Sequence, residues 1–134
     1  MSNKVPYKIY ETIGTIFWFL MDFCWLSEYN FEAIMLGIIA VAFLGISAAN
    51  TFFNDECMLS DRFSYVASWM WCICNTFWLI SSTSFGEKPD LEGIKLGLIA
   101  AKIAFGIASV MILLYVIFSK IEKKQINFKR FKIK

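Results

Sequence analysis

The chain has 134 residues, of which 58% are hydrophobic and 18% aromatic, a composition outside the usual range for a soluble globular domain. The formal net charge is +2 and histidine is absent, so the commonest general base and metal ligand are both missing. The sequence contains no hydrolytic triad, phosphate-binding loop or metal-ligating cluster. We therefore expect no enzyme activity, no metal and no cofactor.

Four apolar stretches follow one another along the chain, at about 7–27, 31–53, 63–83 and 91–119. A helix of roughly 20 apolar residues spans the hydrocarbon core of a bilayer. The first stretch is not typical of a cleaved signal peptide, because Asp22 interrupts it and LSEYN offers no small-residue cleavage site. The sequence therefore predicts an all-α integral membrane protein, a four-helix transmembrane bundle over residues 1–119.

Basic residues predict the orientation of these spans. The segment 120–134 is a polybasic tail with one acid, Glu122, and Lys4 and Lys8 lie before or at the start of the first span. The positive-inside rule then places both termini in the cytoplasm. Frequent Lys, Ile, Asn and Phe suggest an AT-rich, bacterial source, hence a plasma (inner) membrane.

Two pairs of segments indicate an internal duplication of a helical hairpin. WFLMDFCWL (18–26) is echoed by WCICNTFWL (71–79), and NFEAIMLGIIA (30–40) by DLEGIKLGLIA (90–100). Asn30 and Asp90 start the second pair, where a short polar side chain can cap a helix. The repeats, about 7–53 and 63–119, run in the same direction, so we expect a pseudo-two-fold axis along the membrane normal.

Small residues are concentrated in the second helix of each repeat, and aromatic residues in the first. Because small residues let helix backbones approach closely, we expect helices 2 and 4 to form the centre of the bundle. The alternative is that these small faces meet another copy of the chain.

Asp22 and Lys102 are the charged side chains deep in the predicted spans, and Asn75 occupies the position of Asp22 in the second repeat. By helix rise, all three fall in the outer half of the membrane, and we expect them to share one polar site. Trp18 and Trp25 lie on the face of Asp22, and Trp71 and Trp78 on the face of Asn75. These seven residues form the predicted ligand- or ion-binding site.

Different interpretations of this site stay open. In the first, Asp22 and Lys102 form an ion pair that fixes helix packing. In the second, the Asp22 carboxylate serves a transported ion, a proton or a charged ligand. In the third, the Lys102 side chain extends to the outer membrane interface. The tryptophans stack on a ligand, or they belong to an interfacial belt and to helix packing.

The tail interleaves apolar residues with seven basic ones, which suits binding to an anionic cytoplasmic leaflet rather than to nucleic acid. The basic residues are Lys120, Lys123, Lys124, Lys129, Arg130, Lys132 and Lys134.

For function, the pattern favours a small-solute or ion transporter or channel-like protein, acting as a homo-oligomer or in a larger membrane complex. The alternative is a non-catalytic accessory subunit or an immunity-type protein that acts by binding a partner. A membrane enzyme is disfavoured by the missing histidine and by the lack of paired carboxylates.

Overall fold

The computed structural model describes residues 7–55, 57–83 and 91–132, with side chains described over 8–55, 57–83 and 92–126. These residues form four helices: α1 (Tyr7–Leu26), α2 (Asn30–Phe52), α3 (Leu59–Ser82) and α4 (Leu91–Lys132). The helical class and the order of the four elements are as predicted. Three of the helices, α1, α2 and α4, are long and apolar enough to cross a membrane.

A tight turn joins α1 to α2. Glu28 has a φ of 65°, its N–H donates to the Trp25 carbonyl at 3.0 Å, and the Tyr29 N–H donates to the Cys24 carbonyl at 2.9 Å. This is the Schellman ending of a helix, in which glycine is the usual residue at the left-handed position. Asn30 does not act as the predicted cap, because Tyr29 holds the N-cap position and no side-chain hydrogen bond forms there. Asp90 lies outside the described residues.

The helices pack in chain order. α1 packs against α2, α2 against α3, and α3 against α4, while α4 makes at most marginal contact with α1 and α2 among the described residues. The expectation that α2 and α4 form the centre is therefore wrong. α2 and α3 are the central pair, and the small residues of α4 (Ala101, Ala104 and Ala108) are buried against α3.

This order also bears on the expected pseudo-two-fold axis. A two-fold axis relating the hairpins α1–α2 and α3–α4 would match the α2–α3 interface with an α4–α1 interface. The described residues form no extensive interface between α4 and α1. The second helix of one hairpin therefore packs against the first helix of the other, without the reciprocal contact that the expected axis requires.

Helix α3 carries six serine and threonine residues and is not among the three apolar helices, yet it lies between α2 and α4. Its hydroxyl groups donate to carbonyls one turn earlier on the same helix, as Thr76 Oγ1 does to Cys72 at 2.9 Å and Ser81 Oγ to Phe77 at 2.7 Å. Such local hydrogen bonds satisfy polar side chains without water. α3 can therefore carry serine and threonine in apolar surroundings.

The last helix runs well past the predicted span, because α4 continues through the basic segment as far as Lys132. Its one acid in that segment, Glu122, accepts hydrogen bonds from the Leu59 N–H at 3.0 Å, from the Ser60 N–H at 3.4 Å and from the Ser60 hydroxyl. The first N–H groups of a helix have no partner within it. Glu122 thus caps α3 from the far end of α4.

Candidate functional site

Gly37 of α2 sets the distance between α1 and α3. A Cβ at this position would lie 2.9 Å from Met21 Sδ on α1 and 2.9 Å from Thr76 Oγ1 on α3. Both neighbours run antiparallel to α2, so α1 and α3 run parallel, with Met21 and Thr76 at one level. Asp22 and Asn75, the residues adjacent to these two, are consequently brought to the same level.

A cavity of about 360 Å³ lies between α1 and α3 at this level. Both echoing segments line it, and equivalent positions of the two face it. The lining residues are Trp18, Met21, Asp22, Trp25, Leu26, Trp71, Asn75, Trp78 and Leu79. The structure thus brings together six of the seven residues predicted for the site.

The polar part of the cavity consists of one carboxylate and one carboxamide. Asp22 and Asn75 are both partly buried. Neither forms a hydrogen bond or an ion pair within the described part of the chain. Their oxygen and nitrogen atoms are therefore available to an occupant of the cavity.

The aromatic part consists of four indoles. Trp25 and Trp78 meet edge to face, with ring centroids 4.9 Å apart and planes at 75°. Trp18 also packs against the buried cluster of Met21, Ala33, Ile34 and Leu79, and its indole N–H is buried without a partner among the described residues. Trp71 contacts Phe105 of α4 with ring centroids 5.5 Å apart. These walls are fixed by packing on α2 and α4.

Lys102 is the predicted site residue that the structure places elsewhere. It is exposed on α4 and lines a second, more open cavity of about 310 Å³ with Cys74, Trp78, Leu98, Ala101 and Phe105. Gly97 lies next to Ser81 and Phe105 contacts Trp71, so Lys102, which is between them on α4, lies at about the level of Asn75. It lies on the other side of α3, however, and Trp78 borders both cavities.

The described residues provide no ion pair between Asp22 and Lys102. The polar site is thus built from α1 and α3 without the α4 lysine. The helix rise predicted the position of Lys102 along α4 relative to Asn75. It did not predict the rotation of α4 about its own axis, which turns Lys102 away from the cavity between α1 and α3.

The basic tail is described in part. Lys120, Lys123 and Lys124 are exposed on the last turns of α4 whose side chains are described. The side chains of Lys129, Arg130 and Lys132, and the whole of Lys134, lie outside the described residues. Sequence reasoning missed the capping role of Glu122, although a single acid in a basic segment was a visible signal.

Among the described residues, no three side chains of the metal-ligating types lie close enough together to hold a metal ion. Comparisons of the chain with protein-family models, with curated proteins and with solved structures find no match.

Proposed function

We propose that the chain is an integral membrane protein that crosses the bilayer four times, with both termini in the cytoplasm of a bacterial cell. Large apolar side chains on the outer surfaces support a lipid environment: Phe19, Leu96 and Leu113 are between 63% and 74% exposed. A soluble monomer rarely exposes contiguous apolar surface on this scale. α3 serves as the fourth span, since its hydroxyls bond to its own backbone.

The function that fits best is the binding and passage of a small solute, by transport or through a channel-like path, in a homo-oligomer or a larger complex. One observation carries this proposal: Asp22, at a depth where a carboxylate costs roughly 2.5–3.5 kcal/mol, faces a cavity and not a cation. A charge kept at that cost without a structural partner is best explained by an occupant. The basic tail would hold the cytoplasmic end against anionic lipid.

The test is solute movement into proteoliposomes that contain the purified full chain. A panel of small cationic, neutral and anionic solutes is assayed with wild type, Asp22→Asn and Asp61→Asn, the last removing an exposed carboxylate from the start of α3. We expect at least one solute class to enter faster than into protein-free liposomes. Asp22→Asn should abolish that entry and Asp61→Asn should preserve it. Entry of no solute class would contradict the proposal.

A second candidate is an accessory or immunity-type subunit that binds another membrane helix. It is favoured by the outer face of α4, where a Cβ on Gly106 would meet nothing within 4 Å and Ile103, Val110 and Leu113 are exposed. A glycine on an open apolar helix face permits close helix packing. Stoichiometric co-purification with a larger complex that Gly106→Leu abolishes, together with no solute movement, would favour this candidate.

A further inference from the structure

We propose that the cavity between α1 and α3 takes a monovalent organic cation with an apolar or aromatic body, such as a quaternary ammonium compound. This inference rests on the proposed function and names the class of its solute. Four indoles, one carboxylate and one carboxamide form the recognition surface, and Met21, Leu26 and Leu79 complete the apolar walls.

The sign of the charge follows from the lining. Asp22 is the one ionisable side chain that lines the cavity in the described structure, and no basic side chain lies beside it. The faces of aromatic rings also carry partial negative charge. An anion would meet repulsion from Asp22 and from the indole faces, whereas a cation is attracted by both.

The organic character follows from the shortage of oxygen ligands. A hard metal cation needs about six oxygens to replace its water shell. The side chains of this cavity supply the oxygens of Asp22 and Asn75. Apart from Leu26, the last residue of α1, the lining residues have their backbone carbonyls engaged in helix or turn hydrogen bonds. A quaternary ammonium group is weakly hydrated and gains contact with indole faces that a hydrated metal ion does not.

The dimensions fit a small organic molecule. The volume of about 360 Å³ lies at the lower end of the range for ligand pockets, which is roughly 300–1,000 Å³. Trp25 and Trp78 lie one turn beyond Asp22 and Asn75 and are 37% and 42% exposed. They therefore lie at the opening of the cavity. Their edge-to-face pair would have to separate for a cation to enter.

The test is equilibrium binding of radiolabelled phenyltrimethylammonium to the full chain in lipid nanodiscs, with empty nanodiscs subtracted. Unlabelled tert-butylbenzene, which has the same shape without the charge, and benzenesulfonate, an anion, are the competitors. Asp22→Asn and Trp71→Leu alter the cavity, and Asp61→Asn is the matched carboxylate control outside it.

We expect saturable binding that Asp22→Asn weakens by at least about tenfold and Trp71→Leu by about threefold to thirtyfold. Asp61→Asn should leave the affinity unchanged, and neither competitor should displace the cation at equal concentration. Solubility and helix content of each variant, measured by circular dichroism, show that it is folded.

Displacement of the cation by tert-butylbenzene at equal concentration, or full affinity in Asp22→Asn, would overturn the cationic class while leaving the solute site standing. Absence of cation binding, combined with entry of a neutral or anionic solute into proteoliposomes, would likewise overturn the cationic class and leave the solute site standing. Absence of cation binding together with entry of no solute at all would overturn both this inference and the proposed function.

Discussion

The indoles of Trp25 and Trp78 meet at 75° with centroids 4.9 Å apart, so that α1 and α3 touch through two rings where α2 does not separate them. Each tryptophan lies three residues after the polar residue of its own helix, Asp22 or Asn75. The same two rings therefore hold α1 against α3 and lie at the edge of the cavity between these helices.

Trp25→Leu should destabilise the protein, because it removes the aromatic pair while it retains an apolar side chain. Edge-to-face pairs contribute about 0.5–1.5 kcal/mol beyond their buried area. We expect a reduction of this size in the free energy of unfolding, which is measured by circular dichroism of the protein in mixed micelles. Phe19→Leu, on the exposed face of α1, is the control and should leave the stability unchanged. Equal effects of the two substitutions would argue against the pair.

Glu122→Ala should destabilise the start of α3, because it leaves the N–H groups of Leu59 and Ser60 without their acceptor. Loss of a helix cap costs about 0.5–2 kcal/mol. Lys123→Ala, at the adjacent exposed position, should have no effect. Combining Glu122→Ala with Ser60→Ala should destabilise less than the sum of the single changes, since the two side chains share one interaction. Strict additivity would contradict the bond between the Ser60 hydroxyl and Glu122, and unchanged stability of Glu122→Ala would contradict the cap.

Two glycines should respond oppositely to alanine. Gly37→Ala places a Cβ against Met21 and Thr76 and forces α1 and α3 apart, so we expect lower stability and a wider cavity. Gly106→Ala meets open space and gains up to about 1 kcal/mol of helix propensity. Thermal unfolding of both variants checks this, and destabilisation by Gly106→Ala would indicate that another chain covers that face.

Cys57 offers a test of orientation. It is partly exposed between α2 and α3, in the connection that the proposed topology places in the cytoplasm, whereas Cys72 is fully buried. In single-cysteine variants, a membrane-impermeant maleimide should label Cys57 in inside-out vesicles and not in intact cells. Cys72 should remain unlabelled in both until the protein is denatured. Labelling of Cys57 in intact cells would reverse the orientation.

Much of the fold could be predicted from residue periodicity, because helix length and helix faces are local properties. The same applies to the shared level of Asp22, Asn75 and Lys102, which follows from helix rise and short connections. The side of α3 on which Lys102 lies could not be predicted, since it depends on how α4 rotates against α3. The rotation of α4 is set by Ala101, Ala104 and Ala108, which pack on α3. Their small size predicts a close helix contact but does not identify whether the partner is α2 or α3.

The capping arrangement shows a similar limit. Asn30 has the chemistry of a cap, yet the Schellman turn at Glu28 leaves Tyr29 in the N-cap position. Glu122 acts as a cap because α4 extends far enough to reach Leu59, a contact between residues 63 apart in sequence. The single acid in a basic segment marked Glu122 as unusual, but no local pattern identifies its partner 63 residues away.

The proposal that Asp22 serves a bound solute, and not an ion pair with Lys102, is tested most directly by a double-mutant cycle on unfolding in detergent. The cycle compares wild type, Asp22→Asn, Lys102→Met and the combined variant. We expect Asp22→Asn to be at least as stable as wild type, with a coupling energy to Lys102 below about 0.5 kcal/mol. Single changes that each destabilise by more than about 1 kcal/mol, with much of the loss recovered in the combined variant, would show a structural ion pair and contradict the proposal.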